Sequence, residues 1–581
     1  MTGDVHGNST NPNGSDSNET PSNKTLLITG TGVVVTGDAY GAYTAGSGTV
    51  QGNQVEISGT ATIVGDVVGG ESQSGQAIGN TVILNAGTVG NGSTSVDVYG
   101  GIGDGGASNN TVEIHGGTVM ANGTSNGAAI GGFVNNTGSG VVEHNTVKMT
   151  AGTVYELYGG MHENAGDANW NTAVLEGGNV GSVFGAMTDG AANNNTVTIR
   201  GASSSIGGDV FGGKGDTSAD WNTVIIEASY SGTAGFVYGG DAYNGAANNK
   251  VEIHGGTVLY GVFGGSSDSG AATDNTVNLN GGRVDGDVSG GASYSGAVTG
   301  NFVNLNSGHV GGYVYGGSSD SGAVTGNTVN LNGGVGVMTF AASTELYGGY
   351  CYSSCSDAFT GNTLNVRAAG NTVASIQNFQ FMNFYLPATL GAGSTVLTVS
   401  GNVNFQDASN TDKTEVQVGI AGNASPLKEG DRVTLIDASG GGGSLTGSPI
   451  NPTTSGQGMQ GVTLKYEFGL STLLEANKLI ATVTSAPVVT QQSKSLSEGY
   501  LSGTSFLSQG ADFLLGKGMS AARTAVAEGN AGRPEVFAAL GYGKIHNQTG
   551  SSVAVKGYNL VTGLAFGKRL ETASVTGAFF F

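Results

Sequence analysis

The sequence predicts an all-β fold whose main part is a right-handed parallel β-helix, a stack of similar coils. The phrase Asn-Thr-Val-Asn-Leu-Asn-Gly-Gly at Asn275 recurs, with small changes, at Asn301 and Asn327, 26 residues apart each time. Gly accounts for 108 of the 581 residues and Pro for only 8. Charged residues make up 11% of the chain, less than half the usual share. A fixed period of this size is the signature of a solenoid.

The phrase begins at twelve positions, and the distance between successive copies varies between 24 and 35 residues. The variation is confined to insertions between phrases, near Asn122–Gly140 and Phe340–Asp357, which predicts loops on the outside of the stack. The twelve starting residues are Asn53, Asn80, Asn110, Asn145, Asn171, Asn195, Asn222, Asn249, Asn275, Asn301, Asn327 and Asn362.

Each phrase alternates apolar and polar residues, which predicts a strand with one buried face. Val277 and Leu279 share one face of the strand, whereas Asn278 and Asn280 share the other. In the stack, each copy of Val277 should lie above its equivalent in the next coil, Val303. The first Asn of each phrase is expected to bond to backbone groups or to form a ladder of side-chain amides.

Two further features of the repeat are assigned to its corners. The pairs Gly290–Gly291 and Gly316–Gly317 are expected to supply positive φ angles, which β-branched residues resist. Trp170 and Trp221 each directly precede a phrase Asn, so we expect both at corners. A ligand-stacking platform is the alternative interpretation of the two indoles.

Composition divides the chain into five segments. Residues 1–25 are rich in Asn, Ser, Thr and Gly, which predicts a disordered N-terminal segment. The repeats with a period of about 26 fill residues 26–383. Residues 384–487 are richer in Phe and Leu and are expected to cap the open end of the stack. Residues 488–530 form the predicted helical linker, and residues 531–581 the predicted first strands of a β-barrel.

The C-terminal segments are predicted from two different periodicities. Apolar residues recur at helical spacing in residues 488–530. From Val536–Lys544 onwards, longer runs alternate apolar with small or polar residues, as in Ser552–Lys568 and in Ala573–Phe581. Such long alternating strands are typical of outer-membrane β-barrels. Three strands cannot close, so the barrel is expected to be incomplete in this sequence.

Charge is distributed unevenly along the chain. Residues 1–410 contain 7 Lys and Arg against 30 Asp and Glu, a balance of -23, whereas residues 411–581 contain 13 against 12, a balance of +1. A surface this poor in basic residues excludes nucleic acid as a partner. Residues 1–24 are polar and lack the apolar segment of a signal peptide. No apolar run reaches about 18 residues, so no transmembrane helix is expected.

The only two cysteines, Cys351 and Cys355, lie four residues apart, and we expect them to form a local structural disulfide. A metal site would need further Cys or His residues nearby, and there are none. We therefore expect no metal site.

Candidate catalytic residues are sparse. Gly123–Gly127 matches the Gly-x-Ser-x-Gly pattern, but it lies in an insertion and not at a strand-to-helix turn. Asp268 and Asp320 repeat in equivalent loops, with Tyr294 in the intervening coil. A β-helical lyase or hydrolase would place such acids beside a basic residue. We expect neither catalytic residues nor a cofactor.

The order of segments resembles a type V autotransporter of Gram-negative bacteria. Three features carry the resemblance: a repetitive β-helix, a junction at Gly430–Asp437 and a helical linker at Ser495–Glu528. The strands at Phe537–Gly543 and Val555–Arg569 also look like the first two strands of the autotransporter β-domain. The resemblance implies a junction that seeds folding of the rod and a helix that threads the barrel. The signal peptide and about nine of the usual twelve barrel strands are missing from the sequence.

The resemblance implies a passenger domain displayed on the bacterial cell surface, of adhesin or aggregation type, without catalysis of its own. The implied partners are the outer membrane, through the complete barrel, and host-surface glycans, host proteins or a second rod. No self-cleaving Asn-Asn linker is found before the barrel, so no autocleavage is expected. One alternative is a β-helical polysaccharide-degrading enzyme displayed by the same route. Another is a free-standing β-helix, which paired long strands in residues 533–581 would disfavour.

Overall fold

The structure is a computed structural model with two compact units. The units are Met1–Gly458 with Tyr466–Ala486, and Met459–Lys465 with Pro487–Phe581. The structure describes residues 3–7, 22–93, 96–120, 127–333, 338–407, 411–422, 425–449, 455–460, 464–489, 491–529, 532–547, 553–569 and 574–581. Most of the predicted disordered segment, residues 1–25, lies outside these ranges, and so does most of the Gly123–Gly127 motif.

The first unit is a right-handed parallel β-solenoid of about 14 turns. Val277 pairs with Val303, and Val303 pairs with Val329, as the repeat predicts. The solenoid has more turns than the sequence has phrases, because coils without the Asn phrase continue the stack at both ends. Thr25–Ile28 pairs with the first phrase strand, and Phe381–Pro387 pairs with the last one.

The coils contribute strands to three parallel faces, of which face C is not present in every coil. Face A consists of the strands that follow the twelve phrase asparagines and of three strands that extend the same column at its two ends: Thr25–Ile28, Gln54–Ile57, Thr81–Leu84, Thr111–Ile114, Thr146–Met149, Thr172–Leu175, Thr196–Ile199, Thr223–Ile226, Lys250–Ile253, Thr276–Val284, Phe302–Val310, Thr328–Leu331, Thr363–Val366, Phe381–Pro387 and Glu415–Ala421. Between faces A and B lie Val34–Val35, Thr62–Ile63, Thr88–Val89, Thr118–Val119, Ser204–Ile206 and Met338–Phe340.

Face B carries the Gly-Gly pairs. Its strands are Val5–His6, Ala39–Tyr40, Tyr43–Thr44, Val67–Val68, Glu71–Ser72, Val98–Gly103, Ala128–Val134, Thr153–His162, Gly178–Thr188, Val210–Gly215, Thr233–Ala242, Thr257–Ser267, Asp287–Ser293, Val314–Ser319, Glu345–Cys351, Ser375–Gln377, Val403–Asn404 and Leu445–Thr446. Face C is short and precedes the phrase Asn: Val50–Gln51, Gln76–Ile78, Gly106–Ser108, Val142–Glu143, Ala168–Asn169, Gly245–Ala247, Ala271–Thr273, Val298–Thr299 and Val324–Thr325.

The core is a set of apolar ladders inside the coils. Val277, Leu279, Val303 and Leu305 are all buried, whereas Asn278 points outward, as the alternation predicts. Burying one such aliphatic side chain stabilises the fold by about 1.5–3 kcal/mol relative to leaving it in water. The one-sided apolar pattern of each phrase therefore sets which face turns inward.

The prediction for the Gly-Gly pairs is wrong. Gly290 and Gly291 lie within the strand Asp287–Ser293, and neither has a positive φ angle. The glycines are required by close approach instead. A Cβ atom on Gly290 would lie 2.5 Å from the carbonyl oxygen of Gly316 in the next coil, and one on Gly291 would lie 2.7 Å from the side-chain nitrogen of Asn301.

The C-terminal end of the first unit changes from parallel to antiparallel pairing. Arg432–Asp437 pairs in parallel with Thr395–Val399 on one side and antiparallel with Lys478–Val483 on the other. Lys478–Val483 in turn pairs antiparallel with Leu464–Ser471, at the end of the predicted capping segment. Three further strands occur in this part of the chain: Asn371–Val373 in the first unit, Ser455–Gln460 at the boundary between the units, and Val488–Val489 in the second unit.

The second unit contains the predicted helix and the predicted long strands. Helices Gln491–Phe513 and Met519–Glu528 are joined without a break by the π-helical turn Leu514–Gly518. The strands Glu535–Asn547, Val553–Arg569 and Ser574–Phe580 form one antiparallel sheet. Among the described helices, none is both long and apolar enough to cross a membrane.

Candidate binding surfaces

The phrase asparagines form a continuous inner ladder. All twelve side chains are buried. From Asn80 onwards, each Oδ1 accepts hydrogen bonds from the backbone N–H and from the Nδ2 of the preceding ladder Asn, at 2.8–3.1 Å and 2.9–3.3 Å. The Nδ2 of each of these residues also donates to a backbone carbonyl on the face C side, at 2.7–3.1 Å. The buried amides are thus satisfied within the coil stack, so this ladder is structural.

The residue before each ladder Asn is left-handed in all twelve coils, with φ between 55° and 73°. We call these residues the corner ridge: Gly52, Gly79, Asn109, His144, Trp170, Asn194, Trp221, Asn248, Asp274, Gly300, Gly326 and Gly361. Gly and Asn tolerate this conformation well, which explains their frequency here. The predicted corner position of the two tryptophans is confirmed, and both rings are exposed.

A second, outer ladder of asparagines runs along face A. Asn304 donates from Nδ2 to Oδ1 of Asn278 at 2.8 Å, and Asn330 does the same to Asn304 at 2.7 Å. Asn306 bonds to Asn280 in a parallel column at 2.7 Å. Apart from Asn330, which is buried, these amides are partly exposed and can exchange hydrogen bonds with water or a ligand. They provide a flat polar surface, as the outward side of the phrase predicts.

Face B carries tyrosine–acid pairs and stacked rings. The hydroxyls of Tyr99 and Tyr158 donate to the carboxylates of Asp97 and Glu156, at 2.9 and 2.8 Å. The ring of Tyr158 begins a stack with centroid spacings of 4.6–5.2 Å, which follows the spacing of the coils. The stack contains Tyr158, Phe184, Phe211, Tyr238 and Phe263. Most of these rings are buried against their neighbours, so the stack is part of the packing.

Two carboxyl groups of face B have pKa values raised towards neutrality. Burial raises the pKa of Glu71 to about 7, and the nearby Asp38, Asp66 and Asp104 carboxylates add to the rise. Burial likewise raises the pKa of Asp66 to about 6. A carboxyl group with such a pKa can hold or release a proton near pH 7.

A polysaccharide lyase or hydrolase would place a basic residue beside these acids. In the column of face B that contains Glu71, the described basic residue Lys214 lies five coils further along. Five coils correspond to about 24 Å. Lys214 lies 3.8 Å from Asp241 and 4.8 Å from the centre of the Phe211 ring. Glu71 and Lys214 therefore do not form one site.

We expect the N-terminal coils to be more stable at pH 5 than at pH 8. The folded pKa of Glu71, about 7, lies above the ordinary value of 4.5, so between these values the folded chain holds a proton that the unfolded chain has released. Stability then falls as the pH rises from 4.5 to 7. Because one pKa unit corresponds to about 1.4 kcal/mol, the loss is at most about 3 kcal/mol.

Urea unfolding at the two pH values measures this difference. Glu71→Gln should remove most of it, whereas Glu113→Gln, which makes the same charge change on the partly exposed side of face A, should leave it in place. An equal pH dependence in the two variants would contradict the assignment to Glu71.

The remaining sequence candidates are dispersed over the solenoid. Cys351 and Cys355 are joined in a disulfide, with their Cα atoms 5.8 Å apart, and Cys355 packs at the end of an inner apolar column. Asp268 and Asp320 lie two coils apart, with Tyr294 between them, so the repeat does not bring the two acids together. Across the described residues, no group of three or more His, Cys, Asp or Glu is placed to hold a metal ion.

The sheet of the second unit has two different sides. The side towards the helix is built of small and aromatic residues, and Phe537, Val561 and Ala565 are buried there around Ala522 of the helix. The other side exposes apolar residues, most of which pair with one another across the strands. These residues are Val536, Leu540, Tyr542, Tyr558, Leu560, Leu564, Phe566, Val575 and Phe579. An exposed apolar surface of this extent marks a site of contact with lipid or protein.

The fold and these surfaces define the protein as a parallel β-solenoid joined to a helix and an amphipathic antiparallel sheet. Comparisons with family models, with curated proteins and with solved structures found no match to this chain.

Proposed function

We propose that this chain is the surface-displayed rod of a bacterial autotransporter of adhesin type, together with its first membrane strands. The observation that carries the proposal is the two-sided sheet of the second unit. One side packs on a helix, and the other exposes an apolar surface to its surroundings. A strand that has lipid on one side and a pore-filling helix on the other would have this distribution.

The dimensions of the apolar side support a membrane location. On the strand Val553–Arg569, Tyr558 and Phe566 limit the outward apolar stretch, and Lys556 and Lys568 follow just beyond it. Tyr558 to Phe566 is nine residues, which matches the length of about 9–11 residues that a tilted transmembrane β-strand needs. In the proposed arrangement, further strands complete the barrel that anchors the protein in the outer membrane.

The solenoid supports a binding role in place of a catalytic one. Its outer Asn ladder and its acidic surface present long polar faces, which suit adhesion to a host glycan, a host protein or a second rod. We propose no catalysis by the rod itself. The alternative, a displayed polysaccharide-degrading enzyme, would depend on Asp66 and Glu71. Release of reducing ends from a neutral or acidic polysaccharide, lost on Glu71→Gln, would favour that alternative.

Surface labelling tests the display. In the bacterium that encodes this chain, antibodies against residues 127–333 should label intact cells, and added protease should remove the label. Deleting the gene should reduce adhesion or aggregation of the cells. Label that appears only after permeabilisation would contradict the proposal.

A pair of variants tests the membrane side of the sheet. Leu560→Arg places a charge inside the apolar stretch and should reduce labelling strongly, because the cost of a cation rises towards about 2–4 kcal/mol at the midplane of the membrane. Lys544→Gln changes the polar end of the same side and should leave labelling unchanged. Equal labelling of the two variants would count against a membrane location.

A further inference from the structure

The two tryptophans of the chain lie on the corner ridge, where all other residues are Gly, Asn, Asp or His. Trp170 has a φ angle of 60° with 53% of its surface exposed, and Trp221 has 59° with 60% exposed. A positive φ angle is a genuine outlier for a bulky side chain and implies backbone strain. Exposed indoles also lose the benefit of burial.

The solenoid does not need these indoles for its packing. At the equivalent corner residue Gly79, a Cβ atom would have no neighbour within 4 Å. Asn194, between the two tryptophans, adopts the same conformation with a small polar side chain. Strain that packing does not require is typical of functional positions.

The surroundings of the indoles are polar and regular. Asn169, Asn193 and Asp220 line one side of the ridge in a column, where Asn193 donates its N–H to Asn169 at 2.8 Å and Asp220 donates its N–H to Asn193 at 2.7 Å. On the other side, Thr172, Thr196 and Thr223 form an outward column of face A. Aromatic rings between two columns of hydrogen-bonding groups match a ligand with apolar faces and polar edges.

The spacing of the two indoles further limits the classes of ligand that fit the ridge. Trp170 and Trp221 are two coils apart, about 10 Å, which is the length of a disaccharide in a β-linked pyranose chain. The ring of His144 lies one coil from that of Trp170, with centroids 6.2 Å apart and planes within 15°. The balance of -23 over residues 1–410 disfavours anionic chains.

We propose that the corner ridge between His144 and Asn248 binds a neutral β-linked glycan, with Trp170 and Trp221 stacking on alternate sugar rings. Amides and hydroxyls of the flanking columns bond to the sugar hydroxyls. The inference deepens the proposed adhesive function and rests on it for its biological role, but binding by the purified chain does not require display.

Tryptophan fluorescence reports on this site alone, because the chain has no other tryptophan. With the full chain in a zwitterionic detergent, cellohexaose should shift the emission to shorter wavelength and reduce quenching by acrylamide. Maltohexaose and hexagalacturonate, an α-linked and an anionic chain, should bind at least tenfold more weakly. No response to cellohexaose, or an equal response to all three sugars, would overturn the proposal.

Variants separate binding from folding. Calorimetry should show that Trp170→Asn and Trp221→Asn each lower the affinity about tenfold, equivalent to about 1.4 kcal/mol, and that the double variant does not bind. Tyr260→Ser, which removes an exposed ring outside the ridge, should keep the affinity. Because Asn tolerates the left-handed conformation, each tryptophan variant should melt at an equal or higher temperature. A lower melting temperature, or retained affinity, would contradict the inference.

Two further measurements separate glycan binding from self-association and from display. If the chain self-associates without sugar and the tryptophan variants abolish that association, the ridge contacts a second rod and the glycan proposal fails. Labelling of intact cells should be unchanged by Trp170→Asn and Trp221→Asn. If the purified chain does not bind glycan, the proposal of surface display is therefore unaffected. If intact cells are not labelled, the binding measurement on the purified chain remains valid.

Discussion

Replacing Asn222 with alanine should lower the free energy of unfolding of the coils around it by about 3–6 kcal/mol. The Oδ1 of Asn222 accepts from the backbone N–H and the Nδ2 of Asn195, at 2.8 and 3.1 Å. Its Nδ2 donates to Asn249 at 3.1 Å and to the carbonyl of Ala192 at 2.8 Å. The substitution leaves several buried groups without a partner, and each costs about 1–3 kcal/mol.

The effect should be local at first. In a solenoid each coil contacts only its neighbours, so one weakened coil lowers the protection of the adjacent coils before the whole rod unfolds. Hydrogen exchange resolved along the chain should show faster exchange in residues 195–253 and little change in residues 301–331. Urea unfolding followed by circular dichroism gives the overall loss.

Asn306→Ala is the matched control for the ladder. Asn306 also belongs to a ladder, with its Nδ2 bonded to Asn280 at 2.7 Å, but it is partly exposed on face A. Water can replace the lost hydrogen bonds, so this variant should cost less than about 1 kcal/mol. Similar losses for Asn222→Ala and Asn306→Ala would show that burial is not the source of the ladder's stability.

Replacing Gly264 with alanine should cost about 3 kcal/mol, because the added methyl group meets the backbone of the next coil. Its Cβ atom would lie 2.3 Å from the carbonyl oxygen of Gly290. Neither partner can move without disturbing the strand pairing of face B, where Gly264 lies in the strand Thr257–Ser267. Thermal unfolding measures the loss as a lower melting temperature.

Gly265→Ala is the matched control, one residue further along the same strand. A Cβ atom there would meet the side chain of Asn275, at 2.5 Å from Nδ2. The equivalent position of another coil is already occupied by Ala186, which pairs with Gly160. The stack thus accommodates one methyl group at this position, and the cost should be about 1 kcal/mol or less.

The comparison of the two glycine variants is internally controlled. Each change reduces the conformational freedom of the unfolded chain by a similar amount, so that contribution cancels in the difference. Equal losses of stability in Gly264→Ala and Gly265→Ala would contradict the claim that a clash with the backbone costs more than a clash with the side chain of Asn275.

Much of the fold is predictable from residues 275–334. Their period predicts the stacking of coils, and Val277 lies beside Val303 as expected. Their alternation of apolar and polar residues predicts which side of face A points inward. The long strands of the second unit follow from the same alternation. The count of turns is less predictable, because coils such as Phe381–Pro387 pair in the stack without repeating the phrase.

The candidate surfaces are predictable only in part. The corner position of Trp170 follows from its place before a phrase Asn. Its left-handed backbone could have been predicted from another observation, because Gly or Asn stands at the equivalent position of most other coils. The period and the alternation of the phrase do not contain this information. The raised pKa values of Asp66 and Glu71 had no such signal, because they arise from burial and from carboxylates on neighbouring coils.

The sequence by itself determined the period, the inward and outward sides of each strand and the order of the segments, because these depend on residues close together in the chain. Only the tertiary structure decided what the repeated polar and small residues do. Asn275 is buried in the inner ladder whereas Asn278 lies in the outer one, and Gly290 is required by the backbone of the next coil. The physical reason is that these contacts join residues about one coil apart, so the spacing between coils sets them.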